Sequence, residues 1–368
     1  MHQNKYNVLS LFDGISIAHA AFKISNVKIN KYYSSEIENH SIQISKDNHE
    51  QIHIGSVTDI SYKNKSLIYN NIIEPVKIDI LIGGSPCQSL SFAGKQKGLA
   101  AKGLNEENID ILTLEQYLEL KHNGFEFEGQ SYLFWEYIRL LREIKPKFFF
   151  LENVVMEEKW EKIFTENLGF PPIKINSRLF TCQNRPRLYW TNIPYNINTL
   201  PNKLHTFKDI KQFSTKQKDY YSDKALNWLV SHSYRKFLST GKVKKLKIYN
   251  DDTIINAITA SHCKKYSGQR FFAILDNGID NKIQKDKIQE IFNECFNEND
   301  FTKLSILTDW EMVLYNGYSY RYITPEECEL AQGLNIGYTK SVCDTSRYKS
   351  IGNGFTVFVI AWFLKNLK

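Results

Sequence analysis

The chain has 368 residues, 42% of them hydrophobic and 24% charged, enough to bury one large core and a smaller second one. No apolar run approaches the roughly 18 to 20 residues that cross a bilayer, which argues against a membrane protein. Six cysteines, at 87, 182, 263, 295, 328 and 343, form no Cys-x-x-Cys pair and no metal-ligand spacing with histidine, so neither a disulfide framework nor a bound metal is expected.

The formal net charge is +7, and its distribution is uneven. Between Lys203 and Arg270 there are 15 Lys/Arg against 5 Asp and no Glu, a local excess of +10. A solvated lysine-rich surface would account for that excess, as would a footprint for a phosphate backbone. Tyr220, Tyr221, Trp228, Tyr234 and Phe237, interleaved with the charges, favour the second.

In chain order, Tyr6–Phe12 reads as a buried strand, Ile17–Phe22 as helical, Tyr32–Glu36 as a second strand and Asn39–Asp47 as a helix. Ile52–Ile54 and Ile78–Ile82 are the next strands. Between Leu99 and Gln130 lies a polar stretch with helical Leu112–Lys121, expected to be a long loop or an insertion. Leu133–Ile144 carries apolar residues at i, i+3 and i+4 and is stopped by Pro146; Phe148–Leu151 is the fifth strand. Strands alternating with helices predict an α/β fold with a doubly wound, mostly parallel sheet. The alternation stops near 190–200, where Pro194 and Pro201 fall and charge rises. Asp280–Asp300 reads as an amphipathic helix, the alternation resumes near Tyr322, and Phe355–Leu364 is an apolar helix able to return to the first domain.

Open parallel sheets place their chemistry at the carboxyl ends of strands. Leu9 to Ser16 runs from a strand through the turn Phe12-Asp13-Gly14-Ile15 into a helix, and Glu36 closes the next strand about 20 residues on, where a carboxylate binds ribose hydroxyls. That pairing predicts an adenosine-type cofactor and leaves NAD and S-adenosylmethionine both open. The strand Ile78–Ile82 leads into Gly83-Gly84-Ser85-Pro86-Cys87-Gln88, where proline fixes the backbone beside one thiol. A buried cysteine is ordinarily a small apolar filler; at this strand end it is aimed as a nucleophile. Glu152, in Leu151-Glu152-Asn153-Val154, can serve as an acid towards a ring nitrogen. Arg185 and Arg187, in Gln183-Asn184-Arg185-Pro186-Arg187, alternate on a strand-like segment and are expected to face one way, gripping the substrate and orienting the carboxylate.

These segments, in this order, resemble the cytosine carbon-5 DNA methyltransferase family, with wording closest to its animal de novo branch. The likeness covers roughly residues 6–192 and 320–368, where Arg321-Tyr322-Ile323-Thr324-Pro325-Glu326-Glu327-Cys328, Gln332-Gly333 and Gly352-Asn353 resemble later motifs of the family. It implies a Rossmann-like S-adenosylmethionine-dependent methyltransferase: a catalytic domain over 1–192, a target recognition domain over 193–320 and a returning segment over 321–368. It also implies that Cys87 attacks a flipped-out cytosine with Glu152, Arg185 and Arg187 in support. S-adenosyl-L-methionine would be held by Phe12, Asp13, Gly14, Ile15, Ser16, Glu36, Ile37, Ser56, Val57, Pro86, Leu133 and Asn353. Double-stranded DNA would meet Gln88, Ser89, Thr259, Lys264, Lys265, Gln269 and Arg270.

The implied protein is a cytoplasmic monomer of prokaryotic or phage origin. It would act with a restriction endonuclease of the same site or as an orphan enzyme. A transfer RNA methyltransferase, a catalytically silent DNA-binding relative and a nicotinamide oxidoreductase are the rivals. The last leaves Cys87, Glu152 and the arginines without a role. Four features depart from the family's pattern: Ser16 and Ile17 where more glycine is usual, Ser56 where an acid meets the adenine, Gly354 in place of serine, and the long 99–130 stretch. The three substitutions bear on cofactor affinity more than on the chemistry.

Overall fold

A computed structural model describes residues 5–86, 100–102, 108–127, 129–212, 247–249, 251–260, 272–275 and 320–367. Seven strands form the central sheet: β1 (Lys5–Leu11), β2 (Lys28–Ser35), β3 (Ile52–His53), β4 (Ile80–Gly83), β5 (Phe148–Val154), β6 (Ile173–Asn176) and β7 (Pro186–Thr191). Their order is β6-β7-β5-β4-β1-β2-β3. Pairs β1–β2, β1–β4, β4–β5 and β2–β3 are parallel, while β7 runs antiparallel to both β5 and β6. The strand order reverses between β1 and β4, which opens a crevice above that point.

Strand residues alternate between two cores, as the two-residue side-chain period requires. Val8, Ile80, Ile82, Phe148 and Phe150 face one; Leu9, Leu11, Leu81, Phe149 and Leu151 face the other. The first core is closed by helices α1 (Ile17–Ser25) and, from the chain's end, α8 (Val357–Leu364), whose Phe363 meets Phe150 and Tyr189 with ring centroids 5.2 and 5.7 Å apart. The expected return of the last apolar helix is therefore observed. The second core is closed by α3 (Leu114–His122), α4 (Leu133–Ile144) and α5 (Glu158–Leu168). Helix α2 (Asn39–Asn48) follows β2; α6 (Pro325–Gln332) and α7 (Asp344–Asn353) precede α8.

One sequence expectation needs correction: strand β5 extends three residues beyond Leu151, so Glu152 and Asn153 are in the sheet rather than after it. The helix expected at Leu112–Lys121 within the 99–130 stretch is observed as α3; Ile111 and Tyr117 are fully buried, and Trp135 donates from Nε1 to the Ile111 carbonyl at 3.2 Å. The helix expected at Asp280–Asp300 lies outside the described residues, as do Cys87, Gln88, Ser89, Lys264, Lys265, Gln269, Arg270 and the aromatic residues of the basic segment.

Candidate active site

Register builds the site. Leu11, Ser35, Gly83 and Leu151 share one rung across β2, β1, β4 and β5, so Glu36, Phe12, Gly84 and Glu152 follow in a row along the carboxyl edge.

The left half of this row is a turn built on unusual backbone. Phe12, Gly14 and Ser16 have φ of 55, 57 and 58°, two of them non-glycine residues in the left-handed region. Asp13 offsets that strain. Its carboxylate, 6% exposed, accepts from the hydroxyls of Ser10, Ser16, Tyr32 and Ser34 at 2.5 to 2.7 Å. The Asp13 side chain thus organises the turn from beneath. Glu36 stands above the turn, accepting from the amides of Gly14, Ile37 and Glu38 at 2.8 Å each. Burial pushes its carboxyl above the ordinary range, against the pull of those three donors. Three of about four lone-pair sites are used, and one remains for a hydroxyl.

Ile37 beside it is 66% exposed, an apolar surface next to a carboxylate, and a Cβ on Gly14 would meet nothing within 4 Å. These features suit an adenosine: hydroxyls for the acid, a flat base for the isoleucine and open space over the turn. Ser56 caps the short helical turn Val57–Asp59, and Ser35 donates to the Gly55 carbonyl at 2.9 Å, tying this turn to β2. Val57 packs its side chain into the second core; Asp59 is exposed and accepts from Thr58. Leu133 and Pro86 are half-buried, and Asn353 is exposed at the end of α7.

The right half carries the acid. Glu152 lies opposite Tyr189, and Arg187 lies opposite Val154, so acid and arginine are diagonal neighbours on one face of an antiparallel pair. Arg187 Nε stands 3.0 Å from Glu152 Oε1, both side chains less than 15% exposed. Burial raises the proton affinity of Glu152, and the charges of Arg187 and then Arg185 lower it. A carboxyl in that balance can hold or release a proton.

Arg185 is held differently from the expectation that both arginines grip the substrate. Its guanidinium donates to the carbonyls of Ile258 at 2.7 Å, Gly352 at 3.2 Å and Gly354 at 2.8 Å. It therefore joins the Ile258 backbone to the Gly352–Gly354 backbone and acts on Glu152 through its charge. A Cβ on Gly352 would lie 2.2 Å from the Thr259 carbonyl carbon, so only glycine lets the Thr259–Ala260 backbone rest there.

Sequence reasoning gave no role to Asn153. Its amide donates to the Ser85 carbonyl at 3.2 Å and to Ser85 Oγ at 3.0 Å, fixing the chain two residues before Cys87. The signal was present: a short amide next to the acid, one residue along the same strand. Gln183, Gln332 and Thr356 were also missed. Gln183 accepts from the Ile258 amide and donates to Gln332, which accepts from Thr356, a buried polar network behind Arg185.

The fold and this edge define a methyltransferase of the Rossmann-like class that takes its methyl group from S-adenosylmethionine. The chain belongs to the C-5 cytosine-specific DNA methylase family, whose pattern matches residues 6–106 and 120–368. It is a DNA cytosine-5 methyltransferase. Among its relatives, the type II methyltransferase M.HpaII of Haemophilus parainfluenzae is 26% identical, over 96% of this chain and 87% of that protein. The orphan methyltransferase M.SPRI of Bacillus phage SPR is 30% identical, over 50% of this chain and 37% of its own. The solved structure of the Entamoeba histolytica methyltransferase EhMeth superposes with a TM-score of 0.61 at 17% identity, covering 99% of this chain and 98% of its own. Among the described residues no helix is long and apolar enough to cross a membrane.

Proposed function

We propose that the chain methylates carbon 5 of a cytosine turned out of duplex DNA, with Cys87 as nucleophile and Glu152 as acid. The arrangement of Glu152 and Arg187 beside the Gly84–Pro86 turn is the observation that supports this reading. Extrusion of the base costs a few kcal/mol of stacking and pairing. The Cys87 thiolate adds to ring carbon 6 while Glu152 protonates N3, so the electron pair gathers at carbon 5 instead of leaving as ring charge. Arg187 holds the cytosine carbonyl and keeps Glu152 oriented; Arg185 keeps the acid's surroundings in place.

S-adenosylmethionine supplies an electrophilic methyl group when bound. Glu36 would hold its ribose hydroxyls, Ile37 its base, and the Phe12–Ser16 turn, Ser56, Leu133, Pro86 and Asn353 its remaining edges. After methylation a base removes the carbon-5 proton, the electron pair expels the Cys87 sulfur as thiolate, and Glu152 takes back the N3 proton. Gln88, Ser89, Thr259, Lys264, Lys265, Gln269 and Arg270 would read or hold the duplex. The enzyme works as a monomer at its site in the cytoplasm, either beside an endonuclease of the same specificity, as a type II enzyme, or alone as an orphan.

Radiolabelled methyl transfer tests the proposal. Duplex DNA accepts label, transfer RNA does not, and Cys87→Ser abolishes turnover while duplex binding persists. A Cys87→Ser protein that methylates DNA at near the wild-type rate overturns the nucleophile assignment. Bisulfite sequencing of DNA from a methylation-free host then gives the recognition sequence.

A further inference from the structure

The family pattern leaves out residues 107–119, so most of α3 belongs to this chain's own insertion. That helix reaches the cofactor side of the sheet through a buried charge cluster. Glu136, on α4 and fully buried, accepts at Oε1 from Tyr117 Oη and Lys121 Nζ, both at 2.5 Å. At Oε2 it accepts from Arg139 Nε at 2.8 Å and Nη2 at 2.5 Å. Arg139 Nη1 also pairs with Glu143 at 2.7 Å.

The outer faces of these cations hold one short stretch of backbone. Arg139 Nη2 donates to the carbonyls of Ile60 at 2.8 Å and Val57 at 3.3 Å, and Lys121 Nζ donates to the Thr58 carbonyl at 3.3 Å. Glu143 accepts from the Tyr62 amide at 2.8 Å just beyond. Three carbonyls of the turn that follows β3 are thus gripped by two positive charges. Those charges stand close together only because Glu136 lies between them.

We propose that Lys121 and Arg139 are positioning residues for the Ser56–Ile60 turn, and that the inserted helix α3 is thereby a working support of the cofactor pocket. The inference rests on reading this edge as the S-adenosylmethionine site. The Glu136–Arg139 pair is buried, and a buried pair serving stability alone gains little, since an apolar replacement often does as well. Here Arg139 Nη2 and Lys121 Nζ, besides meeting Glu136, both donate to the one turn that shares the carboxyl edge with Glu36. The sequence offers the same pairing: Tyr117 and Lys121 are four apart on α3, so both reach one acid from one face.

The test uses the full chain and S-adenosylmethionine itself. Lys121→Met keeps the Arg139–Glu136 pair and the docking of Tyr117 and Ile111, so the variant folds. Calorimetric titration should show the Kd for S-adenosylmethionine rising about five- to tenfold, the loss of one partly screened charged hydrogen bond. Lys121→Arg should restore affinity to within about twofold. In steady state the KM for S-adenosylmethionine rises while kcat and the KM for DNA hold, which general destabilisation would not produce. Amide exchange of residues 57–60 quickens in Lys121→Met, with that of β1 unchanged. Unchanged affinity and exchange in that variant overturn the inference alone. A wild-type chain that fails to bind S-adenosylmethionine overturns the cofactor reading, and this inference with it.

Discussion

Ile17 and Gly354 depart separately from the pattern the sequence resembles, and the structure places them in contact. A Cβ built on Gly354 would stand 2.3 Å from Ile17 Cδ1, where ordinary contact begins at about 3.4 Å. Ile17 is 1% exposed and packed in the first core, so it cannot swing into solvent. The backbone does not forbid a side chain: Gly354 has φ −77° and ψ 166°, an extended conformation open to any residue. Gly354→Ala should therefore be governed by two opposed effects. Reduced freedom of the unfolded chain stabilises by about 0.4 to 1 kcal/mol, and overpacking costs about 1 to 3 kcal/mol. The net expectation is a loss of about 1 to 2 kcal/mol.

The second substitution identifies the cause. Ile17→Val removes the clashing methyl and alone costs about 0.5 to 1.5 kcal/mol. With that methyl gone, the nearest remaining atoms to the new Cβ are Ile17 Cγ1 and the Ile351 carbonyl, both at 3.5 Å. The double variant should thus be more stable than the sum of the singles by about 1 to 2 kcal/mol. Urea unfolding midpoints at constant slope measure all four corners of the cycle. Additivity within about 0.5 kcal/mol, or a Gly354→Ala protein more stable than wild type, refutes the reasoning.

Further outcomes follow from the charges. Glu152→Ala should lower kcat by about 10²- to 10⁴-fold, as expected for loss of a positioned acid, with DNA affinity retained; a smaller loss in single-turnover assays removes Glu152 from the chemistry. Arg187 lowers the proton affinity of Glu152, so Arg187→Ala should move the alkaline limb of the pH–rate profile upward, and an unmoved limb denies their coupling. His19 stacks on His49, and burial holds His19, His49 and His53 below their usual pKa, His49 at about 3. The unfolded chain protonates these groups near pH 6.5 and the native chain resists. Stability is therefore full above pH 6.5 and falls as pH drops towards 3, by at most about 1.4 kcal/mol per pH unit for each histidine. Chemical denaturation between pH 7 and 5 reads the slope, which His49→Gln should flatten; an unchanged slope rules out His49 as a source.

Much of the catalytic half was legible because its signals are local. Buried parallel strands are short apolar runs bounded by turns, and β1, β2, β4 and β5 appear within a few residues of their expected limits. Helix α4 matches at both ends because Pro146 forbids continuation and Lys145 closes the helix at φ 48°. What the sequence hid was set by contacts across the chain. The reversed strand β7 carries no local mark of direction, yet only that direction sets Arg187 diagonally from Glu152. The role of Asp13 depended on three hydroxyls from β1, β2 and α1's cap converging beneath one turn, together with that of Tyr32. The partners of Arg185, Ile258, Gly352 and Gly354, were not legible because they are carbonyls more than 70 residues away, and carbonyls have no sequence signature.

Those carbonyl partners give the Ile258–Ala260 segment a physical route to the acid. Arg185 carries one positive charge that both fixes the Ile258 carbonyl and bears on Glu152. Gln183 takes the Ile258 amide at 2.8 Å, so both backbone groups of Ile258 are committed to the Gln183–Arg185 segment that leads into β7. Gly352 adds a steric constraint, since the Thr259–Ala260 backbone fits only where no side chain stands. A shift of Ile258 would have to break a buried charged hydrogen bond or drag Arg185 with it, and an unsatisfied buried guanidinium donor is costly. The guanidinium therefore follows the segment, and its distance to Glu152 changes in step. The position of the Ile258 backbone and the proton affinity of the acid are in this way linked through one side chain.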